Sequence, residues 1–102
     1  MIDLPDNDWR WKTRLFDAEY RGFQCVIAAT YTPDDKFYEL GYIGPKNGSD
    51  LAIITEDACA ILNELLQRYV SLETITELIR RDDNGNAESI IGEIILQLAQ
   101  SP

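Results

Sequence analysis

The sequence contains no histidine, and this absence removes two kinds of function together. Histidine is the commonest general base near neutral pH and the commonest protein ligand for metal ions. The remaining residues form no nucleophile–base triad and no zinc-binding spacing. Acidic neighbours such as Asp34 and Asp35 do not make a catalytic pair, because adjacent side chains point apart. We therefore predict no catalytic residues, no metal site and no cofactor, and hence a protein that is not an enzyme.

Cysteine is also scarce. The two cysteines, Cys25 and Cys59, occur without a C-x-x-C motif, and each lies in an apolar segment, "QCVIAA" and "DACAIL". Two cysteines do not make a disulfide framework. The apolar surroundings favour two buried free thiols, with a disulfide bridge or a reactive site as the alternative.

The chain lacks a long uninterrupted apolar run, so we expect no transmembrane span and no membrane partner. Its N-terminus, "MIDLPDNDWRW", is acidic and has no apolar core of the kind found in signal peptides. These two absences together lead us to expect a cytoplasmic protein.

Basic residues are few: 9 against 18 acidic residues give a net charge of −9. A surface of this charge repels phosphate groups and disfavours direct binding of nucleic acid. The same charge suits docking on a basic surface of another protein. Solubility alone is the simpler reason for an acidic excess, and both interpretations stay open.

The first half of the chain reads as strands of one domain that spans residues 1–102, with residues 1–9 as a flexible N-terminus. The segments "FQCVIAATY" and "FYELGYIG" alternate with period two around the turn "TPDDK", which predicts a β-hairpin. Upstream, "WKTRLFDAEY" is a third strand. Its alternation slips between Leu15 and Phe16, which indicates a bulge.

The second half reads as helices, because apolar residues recur three and four positions apart. For the first helix we expect a core-facing stripe of Leu51, Ile54, Ala58, Ile61, Leu62, Leu65 and Tyr69. The second helix begins after the N-cap Ser71, buries Leu72, Ile75, Leu78 and Ile79, and ends at Arg80 and Arg81. The third buries Ile90, Ile91, Ile94, Ile95 and Leu98, and Gly92 inside it indicates a close helix–helix contact.

This order predicts an α+β fold, in which a three-stranded antiparallel β-meander is followed by two to three helices packed on one face of the sheet. The opposite face also carries apolar residues, among them Val26 and Ala28. A small sheet with two apolar faces needs a partner surface, most simply that of a homodimer.

The loop "GPKNGSD" is the first candidate site, with Lys46, Asn47, Gly48, Ser49 and Asp50 as residues that would bind a ligand or a partner. Free backbone N–H groups at the start of a helix attract anions, and Lys46 adds a positive charge. However, Asp50 would repel phosphate, and Ser49 or Asp50 can cap the helix. A structural joint is therefore the favoured interpretation and a binding loop the alternative.

Two further segments have a functional and a structural interpretation. Trp9 and Trp11 alternate with basic residues in "DWRWKTR", which suits stacking on single-stranded nucleic acid. An ordinary strand is favoured in so acidic a chain, and a protein interface at the two tryptophans is the next interpretation.

The segment "DDNGN" resembles part of a calcium loop, but its glycine is misplaced for one, and a turn is favoured.

The stretch "FYELGYIGPKNGSDLAIITEDACAILNELLQRYVSLETITELI" combines an aromatic strand, a Gly-Lys-Gly-Ser loop and two helices. With this stretch at its centre and over about residues 12–99, the sequence resembles the TSCPD domain, a module found at the C-terminal end of some ribonucleotide reductases and as small stand-alone bacterial and phage proteins. The residues that carry the resemblance are Glu39, Gly44, Lys46, Gly48, Ser49, Asp50, Leu66, Gln67, Val70, Leu72, Glu73, Ile75, Ala87, Ser89 and Gly92. The chain departs from the family at Tyr69, where glycine is common, and in lacking the cysteine motif that names it. A metal or redox role is therefore not carried over.

Two functions follow as hypotheses. The first is a small non-enzymatic binding or regulatory module that contacts another protein: the resemblance links it to ribonucleotide reductase, and the second apolar face of the sheet makes it a homodimer. The alternative is a phage-type acidic inhibitor, a DNA mimic or an anti-CRISPR-like protein, which docks on a basic groove of a host protein. Binding by such an inhibitor would collapse as salt rises, because charge complementarity is its main attraction.

Overall fold

The computed structural model of the protein describes residues 11–100, so the predictions for residues 1–9, including Trp9, lie outside the described part. The elements are β1 (Lys12–Tyr20), β2 (Phe23–Tyr31), β3 (Phe37–Gly44), α1 (Asp50–Gln67), α2 (Leu72–Leu78) and α3 (Ile90–Ala99). The three strands form one antiparallel sheet in chain order. Helix α1 packs on β3, α3 packs on β1 and β2, and α2 packs against α3. The predicted α+β meander is confirmed.

The core lies between the sheet and the helices. Period-two alternation places every second strand residue inside, so Cys25, Ile27 and Ala29 of β2 are buried as predicted. The other buried apolar residues of this cluster are Phe16, Ala18, Leu40, Tyr42, Cys59, Leu62, Ile75, Ile90, Ile94, Ile95 and Leu98. Because the helices cover only one face, the opposite face of the sheet is left open.

The predicted bulge in β1 is wrong. Strands β1 and β2 pair without interruption from Lys12 opposite Tyr31 to Tyr20 opposite Phe23. Leu15 simply faces away from the core and is 64% exposed, so two adjacent apolar residues occupy the two faces without an extra residue.

The irregularities lie instead in the pairing of β2 with β3. Tyr38 and Ile43 are each the extra residue between two paired ones, at the shifts next to Tyr31 and Val26. A bulge leaves its extra residue unpaired and can turn its side chain away from the core. Tyr38 is therefore exposed, although it lies two positions from the buried Leu40 in the same strand.

The predicted core-facing stripe of α1 is also wrong. Of its members only Leu62 is fully buried, whereas the buried side of the helix consists of Ala52, Thr55, Cys59 and Leu62. Thr55 fits there because its hydroxyl donates to the Leu51 carbonyl at 2.6 Å within the helix. The helix carries two apolar rows at the same spacing, and the row with smaller side chains faces β3.

Helix α2 ends one turn earlier than the arginines suggest. It stops at Leu78, Ile79 is its C-cap in extended conformation, and Arg80 and Arg81 lie beyond it. The chain there enters a short hairpin, in which the Glu88 N–H donates to the Arg80 carbonyl at 3.1 Å. Consequently Leu78 is exposed, and the expectation that it is buried is wrong.

Gly92 of α3 is buried, but its two nearest neighbours do not belong to another helix. A Cβ at this position would lie 3.1 Å from the Ala87 Cβ and 3.1 Å from the Ser89 Oγ. Both atoms belong to the segment that leads into α3. The contact with α2 is looser, at 3.7 Å to Ile79 Cδ1 of its C-cap, so the expected helix–helix contact exists but is not the closest approach to this glycine. The glycine instead lets this segment lie against the first turn of the helix.

Side-chain amides of the helices cover both free edges of the sheet. Along β3, the Leu40 N–H donates to Asn63 Oδ1 at 2.8 Å, and Gln67 Nε2 donates to the Tyr38 carbonyl at 2.9 Å. Along β1, Gln97 Nε2 donates to the Asp17 carbonyl at 2.8 Å. Exposed edges invite pairing with other chains, and these contacts occupy two backbone groups of β3 and one of β1 at those edges.

Candidate functional site

The loop between β3 and α1 is built as a helix-capping joint. Ser49 is the N-cap of α1, and its Oγ accepts a hydrogen bond from the Ala52 N–H at 3.2 Å, which confirms that part of the prediction. Asn47 Oδ1 accepts from the Ser49 N–H at 3.1 Å. Gly48 has φ +77°, a conformation that favours glycine. The polar groups of this loop are thus largely engaged within it.

Two contacts tie the same loop to its surroundings. The Tyr42 hydroxyl donates to the Pro45 carbonyl at 2.6 Å, and burial raises the pKa of this tyrosine. Lys46 Nζ lies 3.6 Å from Glu56 Oε2, with both side chains largely exposed. Because Asp50 stands in the first turn of α1, the helix start already has a carboxylate beside it. Residues 45–50 are all exposed, and Lys46 is the one cation among them, held only by this exposed ion pair.

Trp11, the described member of the predicted tryptophan interface, precedes β1. It is 52% exposed and contacts Tyr38 edge-to-face, with 4.4 Å between the ring centroids. The bulge at Tyr38 brings the two rings together. A small aromatic surface therefore exists here, and its use as an interface stays a prediction.

The segment 82–86 is a turn, as predicted. The Asp82 carboxylate accepts hydrogen bonds from the backbone N–H groups of Asn84 and Asn86, both at 2.9 Å. These bonds hold the pKa of Asp82 below its usual value. Across residues 11–100 no three acidic or cysteine side chains come together in a way that could hold a metal ion. Nor does any helix in this range have the length and hydropathy needed to cross a membrane.

Both cysteines are buried free thiols, as predicted. Burial raises the pKa of Cys59 to about 12, with smaller contributions from the charges of Cys25 and Glu56. Burial, followed by the charge of Asp17, also raises the pKa of Cys25. A thiol is nucleophilic only as the thiolate, so both groups are chemically quiet at neutral pH.

The outer face of the sheet is a flat, partly apolar surface. Leu15, 64% exposed, lies opposite Ala28, which in turn lies opposite Gly41. The next row contains Val26 and, at the bulge of β3, the exposed Ile43. Ala28 and Gly41 add little side-chain bulk in the middle of this face, whereas Asp17 and Glu39 place exposed carboxylates beside its apolar residues.

Helix α1 presents the second uncovered apolar surface, which sequence reasoning assigned to the core. Four side chains of this row are 41–63% exposed, and Ala58 is half-buried between them. The "apolar row" consists of Leu51, Ile54, Ala58, Ile61 and Leu65. Its members alternate three and four positions apart, the spacing of a seam between helices.

An acidic row runs beside the apolar row. It consists of Asp50, Asp57 and Glu64, which are spaced seven positions apart. Each directly precedes a member of the apolar row. At 100° per residue, these side chains lie along the edge of the apolar row that faces away from β3. Within residues 11–100 only Glu64 of the three has an ion-pair partner, Arg68 at 3.2 Å.

The N-terminal half of the apolar row forms one wall of a groove of about 370 Å³. The opposite wall comes from Ile90 and Ile91 of α3 and from Tyr20 at the β1–β2 turn. The lining is largely apolar, and its volume lies at the lower end of the range for binding pockets, about 300–1,000 Å³. The groove is thus open and largely apolar, with Arg21 and Glu88 as its charged lining residues. Because Thr55 also lines it, the groove lies on one flank of the apolar row and the acidic row lies on the other flank.

A sequence signal for this surface did exist. The residues Ala52, Thr55, Cys59, Leu62 and Leu66 repeat at the same spacing as the apolar row, one position later. Two adjacent rows make the apolar side of the helix wider than one sheet contact can cover. The excess width indicated that one of the two rows faces away from the core. The burial of each row in the structure shows that it is the apolar row.

Comparisons of the chain with protein-family models, curated proteins and solved structures find no match. The resemblance to the TSCPD domain therefore stays a prediction that rests on the residues that carry it.

Proposed function

We propose that the protein is a small non-enzymatic binding or regulatory module that acts through contacts with other proteins. The observation that carries this proposal is the pair of uncovered apolar surfaces on opposite sides of the molecule, the outer face of the sheet and the apolar row of α1. Apolar area of this extent on so small a domain is typical of interaction sites. The resemblance to TSCPD domains adds ribonucleotide reductase as the first partner to test.

The outer face of the sheet is the surface that we propose for homodimerisation. Light scattering behind size-exclusion chromatography should give a mass near twice 11.6 kDa at both low and high salt, because the contact is apolar. Leu15→Lys should give a monomer. Leu78→Lys is the matched control, since Leu78 is even more exposed, at 76%, and lies on α2. A wild-type monomer, or equal behaviour of the two variants, would contradict the proposed dimer.

The loop residues Lys46, Asn47, Gly48, Ser49 and Asp50 are proposed to contribute to partner binding through the accessible Lys46. Lys46→Ala should weaken binding to the catalytic subunit of the organism's ribonucleotide reductase, measured by biolayer interferometry. Glu56→Gln is the control, because it removes the same ion pair and keeps the cation. An exposed pair contributes at most about 1 kcal/mol to stability, so both variants should fold. If both bind as the wild type does, the loop is a joint only.

The acidic inhibitor is the second candidate, and the acidic row of α1 together with the net charge of −9 supports it. The two candidates differ in their dependence on salt. Binding to the reductase subunit that persists at 0.5 M NaCl, where the Debye length is only about 4 Å, favours the regulatory module. Absent binding to the subunit, together with salt-sensitive capture by a basic DNA-binding protein, favours the inhibitor.

A further inference from the structure

From the apolar row of α1 we infer a docking site for an amphipathic helix of another protein, one that carries basic residues beside its own apolar side. The inference rests on the proposed function as a protein-binding module, and it does not depend on the homodimer through the sheet. The spacing and the charge of this surface define the chemistry of the partner that would cover it.

The spacing fits a helix better than other partner shapes. The apolar row spans four turns of α1 and keeps the three-and-four alternation throughout. Its exposed side chains lie next to a groove whose second wall, with Ile90 and Ile91, belongs to α3. A partner helix laid into this groove would insert residues spaced three, four and seven apart between the two walls.

The charges select the kind of helix. Asp50 and Asp57 have no ion-pair partner among residues 11–100, and Glu64 is paired only with its neighbour Arg68. The helix itself carries no basic residue between Asp50 and Gln67. A partner with Lys or Arg beside its apolar side would place those cations along the acidic row. Complementary charge at the rim of an apolar contact fixes register and speeds association.

The same charges argue against two other occupants. A second copy of α1, packed antiparallel through the apolar row, would bring the two acidic rows against each other. In a parallel pair, the acidic row of each copy would face the opposite flank of the partner's apolar row. That flank contains Thr55 and Leu62, which are buried against the sheet and cannot be reached. A membrane surface is disfavoured as well, because anionic headgroups would meet Asp50 and Asp57.

A pair of fluorescein-labelled peptides tests the inference by fluorescence anisotropy. Both are three-heptad helices with leucine at the seam, one with lysine and one with glutamate at the flanking positions. The lysine peptide should bind at least about 10-fold more tightly than the glutamate peptide. Ile61→Ala should weaken its binding about 10-fold, because buried methyl groups are lost from the contact. Ile53→Ala is the matched control on the same helix and should change binding less than about 2-fold.

Charge reversal gives the second readout. Asp57→Lys should weaken the lysine peptide and strengthen the glutamate peptide, which a change in stability alone would not do. Equal affinity of the two peptides, or equal loss with Ile53→Ala and Ile61→Ala, would overturn the inference. If Ile61→Ala converted a dimer of the protein into a monomer, the inference would also be overturned, because a second copy of the chain would then occupy the apolar row. If neither peptide binds while Lys46→Ala weakens binding to the reductase subunit, the inference fails and the proposed function stands.

Discussion

Tyr69 has a backbone conformation that tyrosine rarely adopts. Its φ is +69°, and it directly follows the C-cap Arg68 of α1. The Val70 N–H donates to the Leu65 carbonyl at 3.1 Å, and the Tyr69 N–H donates to the Leu66 carbonyl at 3.2 Å. This pair of bonds ends a helix with one left-handed residue, a position that glycine fills best. The position where the TSCPD resemblance expects glycine therefore still has the glycine-type conformation.

Replacing this residue by glycine should stabilise the protein. The Tyr69 side chain is 96% exposed, so Tyr69→Gly removes little packing and relieves the left-handed strain. The free energy of unfolding in urea should rise by about 0.5–1 kcal/mol, after the extra chain entropy of glycine is subtracted. Tyr69→Ala is the control, since alanine keeps the Cβ and hence the strain. Equal stability of the glycine and alanine variants would show that the left-handed strain is no larger than the extra chain entropy of glycine.

The Cys59 thiol makes stability depend on alkaline pH. Its pKa is about 12 in the folded protein against 9.0 for the free thiol, so the folded state favours the neutral form. The resulting stabilisation is complete below pH 9 and declines as pH rises from 9 towards 12. Between pH 8 and pH 10 this group should lower the free energy of unfolding by about 1 kcal/mol.

Other groups titrate in the same range, so the measurement needs a variant that isolates the thiol. Cys59→Ala should show a smaller loss of stability between pH 8 and pH 10 in urea unfolding. In the wild type, Ellman's reagent at pH 8 should label the thiols only as fast as the protein unfolds. Rapid labelling of the native protein would contradict the burial of both cysteines.

At the scale of elements, side-chain amides of the helices stabilise the edges of the sheet. Asn63→Leu would leave the Leu40 N–H without its 2.8 Å partner, at a cost of about 1–3 kcal/mol for an unpaired group at a partly buried site. Asn63→Asp is the matched control, because a carboxylate oxygen can still accept this bond. Urea unfolding of the two variants should separate them, and equal stability would show that water replaces the amide without loss.

The elements differed in how far the sequence could predict them. Strand β2 was predictable, because Cys25, Ile27 and Ala29 alternate with no competing signal. Ser71 was predictable as a cap, because it directly precedes an apolar helical pattern, and the cap of α1 was predictable to within Ser49 or Asp50. Such local signals depend only on neighbouring residues, and the structure bears them out.

Predictions that depended on contacts between distant elements failed. The choice between two equally spaced rows on α1 depends on how closely the helix approaches β3, and small residues such as Ala52 and Thr55 permit a close approach. The bulges at Tyr38 and Ile43 depend on the register of β3 against β2. In neither case does a window of neighbouring residues contain the deciding information.

For the whole molecule, charge is the dominant property. A net charge of −9 repels itself in the compact state, whereas the described ion pairs are exposed and contribute little. Raising NaCl from 0.05 to 0.5 M should therefore increase the free energy of unfolding, by on the order of 1 kcal/mol. A decrease on adding salt would show that specific ion pairs outweigh the repulsion. Sodium chloride is the salt to use, because sulfate also strengthens apolar burial.

The two uncovered surfaces lie on opposite sides of the sheet, since α1 and α3 pack on the face away from Leu15 and Ile43. A dimer joined through the outer faces would therefore hold its two α1 helices at its two far ends, pointing apart. Such a particle is bivalent, and it would tether two partner chains to one another rather than clamp a single one. If the partner is itself oligomeric, the second contact forms at high effective concentration, and a weak helix-sized site becomes a long-lived crosslink.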